Sequence, residues 1–116
     1  MSRRGTPESN GGERTEARTR FGDVEVDPDA RTVSKAGDPV SLTPKEFDLL
    51  LALIRRRGAV ASRAELLDEV WHYANTDVMT RTVDIHMAEL RRKLENDPSR
   101  PQHLLTARKA GYRLAI

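Results

Sequence analysis

RTVDIHMAELRRKL, residues 81–94, decides the fold. At about 100° per residue, Val83, Met87, Leu90 and Leu94 fall on one narrow stripe, so the stretch reads as an amphipathic helix with that stripe against a core. The opposite face carries Arg81, Thr82, Ile85, Glu89 and Arg92, with His86 and Lys93 at its flank. Solubility alone does not call for Ile85 in the middle of a polar face. In a major groove an aliphatic side chain meets a thymine methyl, and arginine and glutamate read guanine and cytosine edges. The competing explanation is that Ile85 packs on a neighbouring chain and the charges are simply solvated.

Working outward, two capping boxes mark two earlier helices. Ser62-Arg63-Ala64-Glu65 opens a short one whose buried side is Leu66, Leu67, Val70 and Trp71, and a polar loop from His72 to Met79 separates it from residues 81–94. Thr43-Pro44-Lys45-Glu46 opens another, with proline at the first helical position, where its missing N–H costs nothing. Phe47, Leu50, Leu51 and Ile54 follow at helical spacing, and Gly58 supplies the stop. Before them, Val24 and Val26 alternate with Asp23, Glu25 and Asp27, and turns at 27–30 and 36–39 flank short stretches around Thr32-Val33 and Val40-Leu42, the pattern of a small antiparallel sheet. Downstream, Asn96-Asp97-Pro98 breaks the helix, and Leu104–Arg108 and Tyr112–Leu114 flank a turn to make a β-hairpin.

The fold expected is α+β, a winged helix-turn-helix: a small N-terminal antiparallel sheet, a three-helix core and a C-terminal β-hairpin wing. Residues 1–20 carry no periodic apolar positions and read as a disordered linker or tail, leaving 21–116 as the domain.

Composition bounds the function. The chain has 116 residues, 37% of them apolar and 33% charged, enough for one small core under a heavily charged surface. There is no cysteine, so disulfides and thiolate metal sites are excluded. The longest apolar run, Leu49 to Ile54, cannot span a bilayer, and the expected location is the cytoplasm. His72, His86 and His103 have no ligand spacing and no glycine-rich phosphate loop accompanies them, so neither an enzyme nor a cofactor is expected. From Phe21 to Val78 seven basic residues face eleven acidic ones, a net of −4; from Met79 to Ile116 eight face four, a net of +4. That asymmetry points to a polyanionic partner for the C-terminal half.

Not every cation need meet a ligand. Arg91-Arg92-Lys93 and Arg55-Arg56-Arg57 both end helices, where the macrodipole favours positive charge. The second run is assigned to a solvated helix end. Arg92 lies on the reading face and is a candidate phosphate contact, whereas Arg91 points towards the core and reads as structural. In the hairpin, Arg108, Lys109 and Ala110 occupy the turn beside Gly111, and a two-stranded tip carrying arginine suits the negative potential of a minor groove.

Four blocks in order carry a resemblance: Leu42–Leu50 (LTPKEFDLL), Ser62–Leu67 with Val70-Trp71, Arg81–His86 with Leu90–Leu94, and Thr106–Arg108 with Gly111–Leu114. Together they resemble the OmpR/PhoB-type output domain of bacterial two-component response regulators, over Phe21 to Leu114. The resemblance implies sequence-specific binding of double-stranded DNA, as head-to-tail dimers on direct repeats. It places Arg81, Thr82, Ile85, His86, Glu89 and Arg92 in the major groove, Thr106, Arg108, Lys109 and Tyr112 at the wing and minor groove, and Arg63 and Trp71 at phosphates, with Trp71 mainly core. It also implies an RNA polymerase contact through loop 72–79 and an N-terminal receiver domain. No receiver is present in this sequence, so the chain is expected to be a fragment. Two positions depart from the pattern: the family usually has glycine where Lys109 stands, and a basic or polar residue where Glu89 stands. The rival is a winged-helix protein-interaction module that does not bind DNA.

Overall fold

The alternating N-terminal stretches form a four-stranded antiparallel meander in chain order, β1 (Thr19–Phe21), β2 (Val24–Asp27), β3 (Thr32–Lys35) and β4 (Asp38–Val40). A computed structural model describes residues 18–72 and 77–116; the expected tail over 1–17 and residues 73–76 of the expected polymerase-contacting loop lie outside the described residues. Val24, Val26 and Val33 turn inward, with Val26 opposite Val33. Asp27 Oδ1 accepts from the N–H groups of Asp29 (3.1 Å) and Ala30 (3.2 Å) and so shapes the β2–β3 turn. The β3–β4 hairpin turns on Ala36 (φ 52°) and Gly37 (φ 84°), both left-handed as a two-residue loop requires. The sheet starts two residues earlier than expected. Thr19 and Arg20 pair with Val26 and Glu25, so they belong to β1 and not to a tail.

Both capping boxes form. Helix α1 (Pro44–Arg55) begins with Glu46 N–H donating to Thr43 Oγ1 (3.2 Å) and Thr43 N–H donating to Glu46 Oε1 (3.0 Å). Of its expected stripe, Phe47, Leu50 and Leu51 are buried and Ile54 only partly, while Leu49, Ala52 and Leu53 are buried as well. A helix apolar on most sides sits inside a fold; α1 packs against the α2 segment, α3 and the C-terminal hairpin. Helix α2 (Arg63–Leu66), capped by Ser62, widens into a π-helical turn over Leu67–Trp71 and ends at His72 in the left-handed conformation (φ 62°). Leu66, Leu67 and Val70 are buried; Trp71 is half-buried.

The loop expected to last until Met79 gives way to a 3₁₀ turn, Asp77–Thr80, that leads into α3 (Arg81–Leu94). Val83, Met87, Leu90 and Leu94 are all buried, the stripe that the period predicts. Beyond α3, the buried carboxylate of Glu95 accepts from the backbone N–H groups of Gln102 (2.8 Å), His103 (3.0 Å) and Leu104 (2.7 Å), and thereby folds the connecting loop back to the hairpin. That hairpin is β5 (Leu104–Ala107) and β6 (Gly111–Leu114). Ala61 adds a bridge to it, donating to Tyr112 O (2.8 Å) and accepting from Tyr112 N–H (2.9 Å), so the wing is fastened to the α1–α2 connection.

Candidate nucleic-acid interface

Docking α3 through its apolar stripe leaves its other face outward. Ile85 is 56% exposed at the centre of that face. Arg81 and Arg92 are exposed, and Thr82, His86 and Glu89 partly so. His86 Nδ1 lies 2.9 Å from Thr82 O; only an Nδ1–H can use that carbonyl, which leaves Nε2 as the ring's other polar atom. The His86 ring meets Trp71 edge-on, with centroids 4.8 Å apart. The face thus presents cationic, anionic, hydroxyl and aliphatic groups together, the mixture that base edges call for.

The residues expected at phosphates and the wing are less free than the sequence suggests. Arg63 grips Asp84 with two nitrogens, Nε at 3.0 Å and Nη2 at 2.5 Å, while the Tyr112 hydroxyl donates to the same carboxylate at 2.6 Å. Tyr112 is therefore a strut and not a surface contact: it is 8% exposed, and burial first, then the Asp84 bond, push its hydroxyl pKa up to about 12. Arg91 is structural, as expected. It donates to Leu104 O (2.9 Å) and to Thr106 Oγ1 (2.8 Å), and its guanidinium lies 5.5 Å from the Tyr112 ring centre. Asp84 and Arg91 thus lock α2, α3 and the wing into one surface. Sequence reading passed over Asp84; its one signal is an acidic residue beside the core position Val83 in an otherwise basic half.

Two further cations turn inward. Lys93, expected at the flank of the reading face, reaches Glu46 (2.7 Å) and Ser41 O (3.0 Å). Arg56, assigned to a solvated helix end, pairs with Glu69 at 2.8 Å and ties α1 to the α2 segment. Among the described residues, no ion pair holds Arg81, Arg108 or Lys109. The last two sit at the exposed wing tip, where Ala110 N–H donates to Ala107 O (2.8 Å) to close the turn.

Lys109 adopts the left-handed conformation (φ 64°), so the turn holds this residue under strain. Lys109→Gly is expected to stabilise the domain by about 1 kcal/mol, because only glycine adopts this conformation without penalty. A rise in the urea midpoint checks it; an unchanged midpoint would show that the turn is unstrained.

Among the described residues no group of three or more His, Asp or Glu could hold a metal ion, and no helix is long and apolar enough to cross a membrane. Residues 37–114 match the family described as "Transcriptional regulatory protein, C terminal". The DNA-binding response regulator MtrA of Mycolicibacterium smegmatis is 48% identical over 93 residues, which are 80% of this chain and 40% of MtrA. The sensory transduction protein RegX3 of the same organism is 45% identical over the same shares. This chain therefore spans 40% of the length of these relatives. In structure it is similar to the RstA DNA-binding domain of Klebsiella pneumoniae, solved in complex with the RstA box, with TM-score 0.76 and 32% identity over 86% of this chain and 98% of that one. The DNA-binding domain of CpxR from E. coli gives TM-score 0.74 and 29% identity over 85% and 96%. With winged-helix topology and a family match over most of its length, the chain belongs to the OmpR/PhoB-type transcriptional regulatory family, a non-enzymatic class of DNA-binding output domains.

Proposed function

We propose that this chain is a transcriptional output domain that binds double-stranded DNA sequence-specifically, with α3 in the major groove and the β5–β6 tip at the minor groove. The observation that carries this is the outward face of α3, where exposed Ile85 stands among Arg81, Thr82, His86, Glu89 and Arg92. Arg108 and Lys109 at the exposed tip, which no ion pair holds among the described residues, supply charge beside it. RstA's solved complex with its box supports the reading by similarity. Arg63 remains partly exposed and can offer an edge of its guanidinium to a phosphate while Asp84 orients it.

The same reading extends to binding as head-to-tail pairs on direct repeats in the bacterial cytoplasm. It further assigns a polymerase contact to loop 72–79, and to the residues before β1 the role of a linker to a phosphorylated receiver domain. These follow from the family resemblance and rest on it.

Anisotropy of a labelled duplex titrated across salt concentrations tests the core of the proposal. Arg81, Arg108 and Lys109 are the interface cations that no ion pair holds among the described residues. Each phosphate contact contributes about −0.9 to the slope of log K against log[salt], so these three with Arg63 give an expected slope of roughly −2.7 to −3.6. A slope near zero on random and selected duplexes alike would favour the protein-interaction reading instead.

A further inference from the structure

Each side chain of the run Arg91-Arg92-Lys93 is held by a partner on the protein. Arg91 is bound to the wing and Lys93 to Glu46. Arg92, the most outward of the three, is closed on Glu89 one turn back: its Nη2 lies 2.8 Å and its Nε 3.1 Å from Glu89 Oε1, with Nε also 3.3 Å from Oε2. The Arg92 guanidinium holds the Glu89 carboxyl below its ordinary range, so the pair is fully ionised at neutral pH. Both side chains are accessible, 63% for Arg92 and 42% for Glu89.

An exposed pair of this kind is weak, and a DNA phosphate competes for the guanidinium. Yet a phosphate that takes Arg92 leaves a bare carboxylate beside a polyanion. Closed, the pair is neutral and is neither drawn to the backbone nor repelled by it. Opening it without loss requires a surface that offers a donor to the carboxylate and acceptors to the guanidinium side by side. A C·G pair does so in the major groove, with cytosine N4–H₂ next to guanine O6 and N7.

We propose that Glu89 and Arg92 act as one specificity element, in which Glu89 withholds Arg92 from phosphates on non-matching DNA and the pair opens onto a C·G base pair at the matching site. This rests on the reading of α3 as the major-groove helix. It makes Glu89 a suppressor of nonspecific binding in a half of the chain whose net charge is +4.

The test compares the wild-type chain, Glu89→Gln, Arg92→Gln and the double variant on a random-sequence duplex and on an operator selected from a random pool, across 50 to 300 mM salt. On random duplex, Glu89→Gln is expected to bind several-fold more tightly and to steepen the salt slope by about 0.9, one extra phosphate contact. The double variant should return to the wild-type slope, because no guanidinium remains to be freed. On the operator, each single variant should lose about tenfold of its discrimination at one C·G pair. A Glu89→Gln slope equal to wild type, or a steepening that persists in the double variant, overturns the inference while leaving DNA binding intact. Failure of the wild-type chain to bind any duplex would instead sink the underlying function.

Discussion

Gly111→Ala is expected to pull the wing off the helical body and to cost about 3 kcal/mol or more, combining backbone strain with lost hydrogen bonds. Gly111 has φ +141°, a conformation open to glycine and strained for any other residue. A Cβ there would stand 1.9 Å from Ala61 O and 2.8 Å from both Ala61 C and Ser62 Cα. All three are backbone atoms, so no side chain can rotate to make room. Relief requires β6 to move away from Ala61, which breaks both bonds of the Ala61–Tyr112 bridge. It also disturbs Ser62, the cap of α2, and draws the Tyr112 hydroxyl from Asp84. Gly37→Ala is the control: φ there is +84°, but nothing lies within 4 Å of the added methyl, so only the backbone penalty of about 1 kcal/mol applies. Urea unfolding of both variants decides the matter. Equal midpoints would mean that the wing is not wedged against Ala61. Duplex binding should fall with Gly111→Ala and not with Gly37→Ala, since only the former displaces the wing tip from α3.

What the sequence disclosed of this molecule is what local periodicity encodes. The capping boxes at Thr43 and Ser62 bond across three residues, and the stripe from Val83 to Leu94 repeats every turn, so both are visible in a short window. The pairs that organise the interface span longer stretches. Arg63 meets Asp84 across 21 residues, Tyr112 meets Asp84 across 28, and Lys93 meets Glu46 across 47. Periodicity gives each of these residues a face but no partner, so Arg63 and Lys93 read as surface cations and Tyr112 as a wing contact. Arg56 likewise reads as a solvated helix end, because its partner Glu69 belongs to another helix. Strand β1 lacked a signal of a different kind: of its three residues only Phe21 is buried, so no alternation marks its start. The outward position of Ile85 was legible because an exposed aliphatic residue among charges is a local anomaly.

Glu46→Ala is expected to destabilise the domain by about 3 kcal/mol at pH 7, since it removes one partner of a buried ion pair and half of a capping box. Glu46 is only 4% exposed, and its Oε1 accepts from both Lys93 Nζ (2.7 Å) and Thr43 N–H (3.0 Å). Without the carboxylate, the Lys93 ammonium keeps only Ser41 O in a site that shields most of its side chain. The same pair carries a pH signature. Burial by itself raises the Glu46 pKa, but the Lys93 and Thr43 bonds outweigh it and leave the carboxyl below its ordinary value of 4.5. A folded-state pKa below the unfolded one stabilises fully above about pH 4.5 and is lost as pH falls through the folded value. Wild-type stability should therefore drop between pH 7 and pH 3 by more than that of Glu46→Gln, whose side chain does not titrate. Parallel profiles for the two proteins would show that Lys93 does not hold Glu46 ionised. The consequence for binding follows from position: Lys93 adjoins Arg92 in the last turn of α3. Released from Glu46, it adds a mobile cation beside the Glu89–Arg92 pair and unpins that end of the helix from α1. Glu46→Gln should thus raise affinity for random duplex while reducing preference for the selected operator, at a pH where the domain remains folded.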